Sequence, residues 1–182
     1  MVTLAPAELT ARARRIRLVL SDCDGVLTDG GVFVSAEGEV MKRFNLRDGM
    51  GVERLRDAGV TTAFITRERS EILSRRAEKL RLEHCWIGVQ DKLSHLDTII
   101  QESGVGSPAE LAYIGDDVND LGIMRAIAEV GLTGTPADGF EEVGRVAHFR
   151  GFKAGGQGAF REFAEWLLRL RGGASAMEDE QR

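Results

Sequence analysis

Apolar residues in this chain come in short runs separated by amphipathic stretches, a pattern that predicts strands and helices in turn. The first run, residues 16–20, is rich in branched side chains and reads as a buried parallel strand. Further strands are predicted at 61–65, 85–87, 111–114, 130–132 and 146–149. Helices are predicted at 48–58, 69–80, 90–102, 121–128, 136–143 and 159–170, with Asp91 as the N-cap of the third. Strands alternating with helices imply an α/β domain of three layers, Rossmann-like, with a mainly parallel sheet covered on both faces.

Residues 32–44 break the alternation. Two strand-like runs, 32–34 and 40–44, flank the polar turn Ser35-Ala36-Glu37-Gly38-Glu39, which reads as a protruding β-hairpin. Its Val32, Val34, Val40 and Phe44 have no second core nearby to receive them, which points to association between chains. Residues 1–15 are an Ala- and Arg-rich lead-in, frayed or helical. Residues 16–171 form the folded domain, and the small, acidic stretch 172–182 is expected to be disordered.

A length of 182 residues with 43% hydrophobic content suits one domain with a proper core. The net charge of −5 leaves Arg12 to Arg17 as the one basic run, a solvated lead-in to the first strand, and nucleic acid is not an expected partner. No apolar stretch approaches the roughly 20 residues of a membrane span, and the N-terminus lacks a signal-peptide core. Cys23 and Cys85 lie in or beside apolar runs, as expected of reduced thiols in a cytoplasmic protein.

The candidate chemistry sits where predicted strands end. Asp22 and Asp24 follow the first strand, Thr66 the second, and Lys92 comes shortly after 85–87. Gly115-Asp116-Asp117-Val118-Asn119-Asp120 follows 111–114. In a doubly wound sheet these ends share one edge, where ligands bind. Side chains two apart on a strand face the same way, so Asp22 and Asp24 converge if extended geometry persists. Paired carboxylates repel unless a cation neutralises them, and hard oxygen donors suit Mg²⁺. Lys92 supplies positive charge beside a carboxylate and a phosphate, and Thr66 a hydrogen bond to a phosphoryl oxygen. Taken singly, each has a plainer explanation: a surface lysine, a strand end, helix caps at Asp116 or Asp117, a solvated Asp120. Their joint placement at successive strand ends argues for a site.

On these four motifs the sequence resembles the haloacid dehalogenase (HAD) superfamily of phosphatases. It resembles most closely the 3-deoxy-D-manno-octulosonate 8-phosphate phosphatases, through residues 22–30, 44–51, 91–93 and 155–162. The resemblance implies a capless HAD fold with Asp22 as nucleophile, forming an aspartyl-phosphate, and Asp24 as general acid and then base. Mg²⁺ would be held by Asp22, the Asp24 carbonyl and Asp116, with Asp117 and Asp120 supporting its water shell. Gly25, Arg47, Arg67 and Glu68 are the candidate substrate contacts. The substrate implied is a phosphorylated 2-keto-3-deoxy sugar acid, and the assembly a homotetramer whose paired hairpins cover neighbouring sites. One departure stands out: the group commonly has Thr-Gly-Arg where this chain has Thr66-Arg67-Glu68. Phosphatases of nine-carbon keto-deoxy acid 9-phosphates place a glutamate there, and residues 68–80 also look like that branch, so both substrates stay open.

Two other classes fit less well. A phosphorelay receiver would place its phospho-acceptor Asp before Thr and Lys but after an acidic pair, whereas here Thr66 and Lys92 lie between the two acidic clusters. A catalytically idle assembly domain, such as the C-terminal module of animal sialic-acid cytidylyltransferases, could dispense with Asp116 and Asp120, which this chain keeps.

Overall fold

A computed structural model describes residues 1–172; the tail expected over 172–182 lies, from residue 173 on, outside the described residues. Six strands form one parallel sheet in the order β5-β4-β1-β6-β7-β8: β1 (Leu18–Ser21), β4 (Thr61–Thr66), β5 (Cys85–Ile87), β6 (Leu111–Ile114), β7 (Leu132–Thr135) and β8 (Phe149–Arg150). β1 lies at the centre, with Leu18 opposite Thr61 on one side and Leu111 on the other. All four of its residues are buried. Alternation divides the strand residues between two cores. Val19, Phe64, Ala112 and Ile114 pack with helices α1 (Pro6–Arg15), α2 (Leu46–Asp57), α3 (Glu71–Leu80) and α7 (Ala159–Gly172). Leu18, Leu20, Ala63, Ile65, Leu111 and Tyr113 pack with α4 (Leu96–Ser103), α5 (Leu121–Ala128) and α6 (Glu141–Val146). The three-layer α/β architecture expected from the sequence is present, and no described helix is long and apolar enough to cross a membrane.

Several boundaries differ from expectation. The basic lead-in is docked rather than solvated: Ala13 and Ile16 are buried, and the Arg12 guanidinium donates to the Ala128 and Gly131 carbonyls at 2.9 and 3.1 Å. Arg171 of α7 donates to the Ala13 and Ile16 carbonyls, satisfying the C-terminal end of α1. The helix expected over 90–102 is split. Asp91 accepts from the Leu93 and Ser94 amides and closes a separate turn before α4 begins at Leu96. Residues 136–139 turn rather than coil, with the Gly139 amide on the Pro136 carbonyl, so α6 starts at Glu141 and β8 is only two residues long. Val130 and Gly131 close the end of α5, the Gly131 amide donating to the Ile127 carbonyl, and β7 starts one residue later.

The hairpin is present as β2 (Phe33–Ser35) and β3 (Gly38–Met41), antiparallel and separate from the main sheet. Phe33 and Val34 are 62% and 69% exposed. Phe44, expected to share this face, instead packs half-buried on the subunit's own core beneath the Arg76 guanidinium.

His148, just before β8, is buried, and its Nδ1 accepts from the Thr133 amide at 3.1 Å. A proton on Nδ1 would face that N–H, and burial, then Arg12, lowers the imidazole pKa to about 4. The unfolded chain takes up this proton near pH 6.5 and the folded one near 4, so stability falls as pH drops through that window. The loss should reach about 3 kcal/mol. His148→Asn, whose amide oxygen can accept from Thr133, should show less of it when denaturant midpoints at pH 7.5 and 4.5 are compared.

Candidate active site

At the C-terminal edge of the sheet a pocket is lined by Asp22, Asp24, Thr66, Arg67, Glu68, Asp116, Asp117, Val118 and Asn119. Seven candidate residues from the sequence therefore meet in one cleft, and Lys92, Asp120 and Gly25 lie directly beneath or beside it. Arg47 does not line it. That residue sits exposed in the first turn of α2, its amide held by the Asn45 side chain at 2.9 Å.

Asp22 continues the line of β1, its amide donating to the Ile114 carbonyl at 2.9 Å. One carboxylate oxygen lies 2.8 Å from Lys92 Nζ, which also contacts Asp120 at 2.6 Å. Lys92 is buried because the Asp91 turn carries it inward between the two carboxylates. Asp120 is fully buried and saturated. One oxygen accepts from Lys92 and the Tyr113 hydroxyl, the other from the amides of Asp116 and Asp117. It thus fixes the fourth-motif loop and the lysine rather than facing the pocket. Asp117 caps the short turn Val118–Asp120, its oxygen 2.6 Å from the Val118 amide, while still lining the cleft.

Two buried carboxylates, Asp22 and Asp120, and the half-buried Asp116 face one ammonium here, among the described residues. Burial, then Asp120, raises the Asp22 pKa to about 7 against the pull of Lys92. Burial, then Asp22 and Asp120, raises that of Asp116 to about 8. Burial opposes the Lys92 charge, but Asp22 and Asp120 outweigh it and hold the ammonium above the usual lysine range. This is the electrostatic profile of a site built for an added cation. Oxygens of Asp22, Asp116 and Asp120 lie within 4.8 Å of one another, and Asp116 Oδ1 is buried with no hydrogen-bond partner among the described residues. Since Asp120 is saturated, the free donors are on Asp22 and Asp116, an all-oxygen set that fits Mg²⁺. Gly25, at φ +88°, makes room for this arrangement: a Cβ there would lie 1.9 Å from Asp116 Oδ2.

Thr66 Oγ1 accepts from the Glu68 amide at 3.1 Å, which leaves its proton free to donate into the pocket. Arg67 is steered by Gln90, which accepts from its Nε at 3.0 Å. The glycine-rich loop after β8 backs the first motif: the Gly156 amide donates to the Val26 carbonyl, and a Cβ on Gly155 would lie 2.0 Å from the Gly25 carbonyl oxygen. Cys23, between the two aspartates, is buried with its thiol pKa pushed up by burial and then by Asp22, and it belongs to the core.

One residue at the site escaped the sequence reading. Lys42, next after β3, places Nζ 2.7 Å from each oxygen of Asp24, and Thr28 Oγ1 donates to the same carboxylate at 3.1 Å. The only signal was the first residue of the basic pair Lys42-Arg43 within an otherwise apolar hairpin strand.

No protein-family model matches the chain. It is 36% identical over 161 residues to the 3-deoxy-D-manno-octulosonate 8-phosphate phosphatase KdsC of Yersinia pestis, covering 88% of this chain and 84% of that one. Against the Haemophilus influenzae protein of the same name identity is 34% over 170 residues, 93% and 92% of the two chains. Among solved structures, the Moraxella catarrhalis 3-deoxy-D-manno-octulosonate 8-phosphate phosphatase, in complex with magnesium, phosphate and KDO, superposes with a TM-score of 0.84. The match has 33% identity over 96% of this chain and 98% of that one. The cobalt-bound Haemophilus influenzae enzyme also gives 0.84, at 34% identity over 93% and 97%.

Proposed function

Because this chain belongs to the 3-deoxy-D-manno-octulosonate 8-phosphate phosphatase family of the HAD superfamily, a family of phosphoric monoester hydrolases, we propose that it dephosphorylates a 2-keto-3-deoxy sugar acid of eight or nine carbons. The observation that carries this reading is the Asp22–Lys92–Asp120–Asp116 cluster opening onto a cleft whose other walls include Asp24, Thr66, Arg67, Glu68 and Asp117.

In this mechanism an Asp22 oxygen attacks phosphorus, forming the O–P bond of an aspartyl-phosphate as the bond to the sugar oxygen breaks. Asp24 gives its proton to the departing oxygen, then takes one from the water that hydrolyses the acyl phosphate. Lys92 holds Asp22 in line and offsets phosphoryl charge, and Thr66 donates to a phosphoryl oxygen. Asp22, the Asp24 carbonyl and Asp116 would hold Mg²⁺, which supplies Lewis-acid stabilisation of the phosphoryl oxygens. The hairpin, exposed at Phe33 and Val34, is the proposed assembly element of a homotetramer acting in the cytoplasm.

Two observations bear on the substrate. The relatives act, by name, on the eight-carbon acid, whereas Glu68 sets an anion in the pocket beside Arg67. An anion there accepts hydrogen bonds from sugar hydroxyls and repels a carboxylate. kcat/KM should therefore be measured for 3-deoxy-D-manno-octulosonate 8-phosphate, a nonulosonate 9-phosphate and glucose 6-phosphate. At least one keto-deoxy acid should exceed glucose 6-phosphate by about a hundredfold, roughly 2.7 kcal/mol of barrier; parity would sink the substrate class. Glu68→Arg should move the ratio about tenfold toward the octulosonate. An unchanged ratio would remove Glu68 from the specificity argument.

A further inference from the structure

Lys42 is buried, its side chain 3% exposed, although Met41 and Arg43 on either side are exposed. A buried ammonium persists only where it is paired. Its partners are both oxygens of Asp24 at 2.7 Å and Glu39 at 3.3 Å. Glu39, on β3, accepts in turn from the hydroxyl of Ser70, the residue that precedes α3 and follows the Thr66–Glu68 loop. Asp24, Lys42, Glu39 and Ser70 thus form one chain of contacts from the first motif, through the root of the hairpin, to the second.

We propose that Lys42 is a positioning residue: it holds the Asp24 carboxylate at the place from which it serves the leaving oxygen, so the seating of the hairpin governs the chemistry of its own subunit. Apart from Lys42, the Thr28 hydroxyl at 3.1 Å is the one hydrogen-bond partner of the Asp24 carboxylate among the described residues. With its side chain 24% exposed, it has room to turn away once the ammonium is gone. The hairpin therefore acts inward as well as outward. This inference rests on the reading of Asp24 as proton donor.

The test exploits leaving-group dependence. p-Nitrophenolate departs without a proton, whereas a sugar alkoxide needs one, and kcat/KM reports the steps up to that departure. Lys42→Met should lower kcat/KM for the preferred sugar-acid phosphate about a hundredfold, within the range expected of a lost general acid, and for p-nitrophenyl phosphate less than about fivefold. The loss should appear in kcat rather than KM, with sedimentation unchanged from wild type. Lys42→Arg, which keeps the charge, should recover part of the ratio, and a crystal structure of Lys42→Met should show Asp24 turned from its present place. Should Lys42→Met fail to fold, Glu39→Gln should shift the same ratio in the same direction by a smaller factor. Equal losses on both substrates would overturn the proposal. Asp24→Asn separates the two readings. If it shows the selective loss and Lys42→Met does not, Asp24 stands as the acid and Lys42 falls. If Asp24→Asn shows no selectivity, both fall.

Discussion

Asp22→Asn should leave a folded protein with turnover reduced by at least about four orders of magnitude, roughly 5.5 kcal/mol of barrier. The amide cannot form the acyl phosphate, and no neighbour can replace it. Asp116 is a candidate cation ligand, Asp120 is saturated with donors, and the Cys23 thiol is buried and held protonated. The fold should gain rather than lose. Burial and Asp120 raise the Asp22 pKa to about 7, so in the wild type, with chelator present, ionising this group costs stability as pH rises from about 4 to about 7. Thermal melts of Asp22→Asn should therefore match or exceed wild type, the difference growing across that window. Retained turnover would overturn the nucleophile, while a collapsed fold would refute the electrostatic account.

If the hairpins hold the proposed homotetramer together, Val34→Asp should yield smaller species with at least about tenfold lower activity and an intact core melt. Val34 is 69% exposed beside Phe33 on a two-stranded ribbon that pairs with no strand of the main sheet. Isolated two-stranded ribbons are marginal in water, and unpaired apolar strand edges invite partners. The hairpin root reaches Asp24 through Lys42, but the described residues add no cap domain over the cleft, so partner hairpins would complete its cover. Phe44→Asp is a poor substitute, since Phe44 packs on the subunit's own core and its replacement would damage folding. A wild-type enzyme that sediments as a fully active monomer at assay concentration would refute the assembly.

The sheet and most of the site were legible in the sequence because both rest on local pattern. Buried parallel strands read as apolar runs, and strand ends at one edge bring Asp22, Thr66 and Asp116 together whatever the details between them. Lys42 was not legible. Its burial depends on the hairpin folding back over Asp24, a contact 18 residues away in the chain that alternation within the hairpin does not encode. Phe44 was misplaced for the same reason: it ends a strand-like run, but the chain turns inward before α2. The boundary at 90–96 moved because the Asp91 side chain takes two amides, and the one at 136–141 because the Gly139 amide closes a turn on the Pro136 carbonyl, each overriding helix periodicity. Arg47 was carried over from a motif, and its exposed position keeps it out of its own subunit's cleft.

Gly155 and Gly156 press backbone to backbone on the loop that carries Asp22 and Asp24, so the first of the four motifs is braced by a loop that follows them all. A nascent chain stopped before Gly155 already contains every acidic group of the cleft, yet lacks the wall behind Gly25 and the α7 side chains Phe160 and Phe163 that fill the core under β1. Such long-range closure slows folding, because distant segments must meet before either is held. The acidic groups therefore gain their working geometry together, once residues 155–163 have docked, rather than motif by motif.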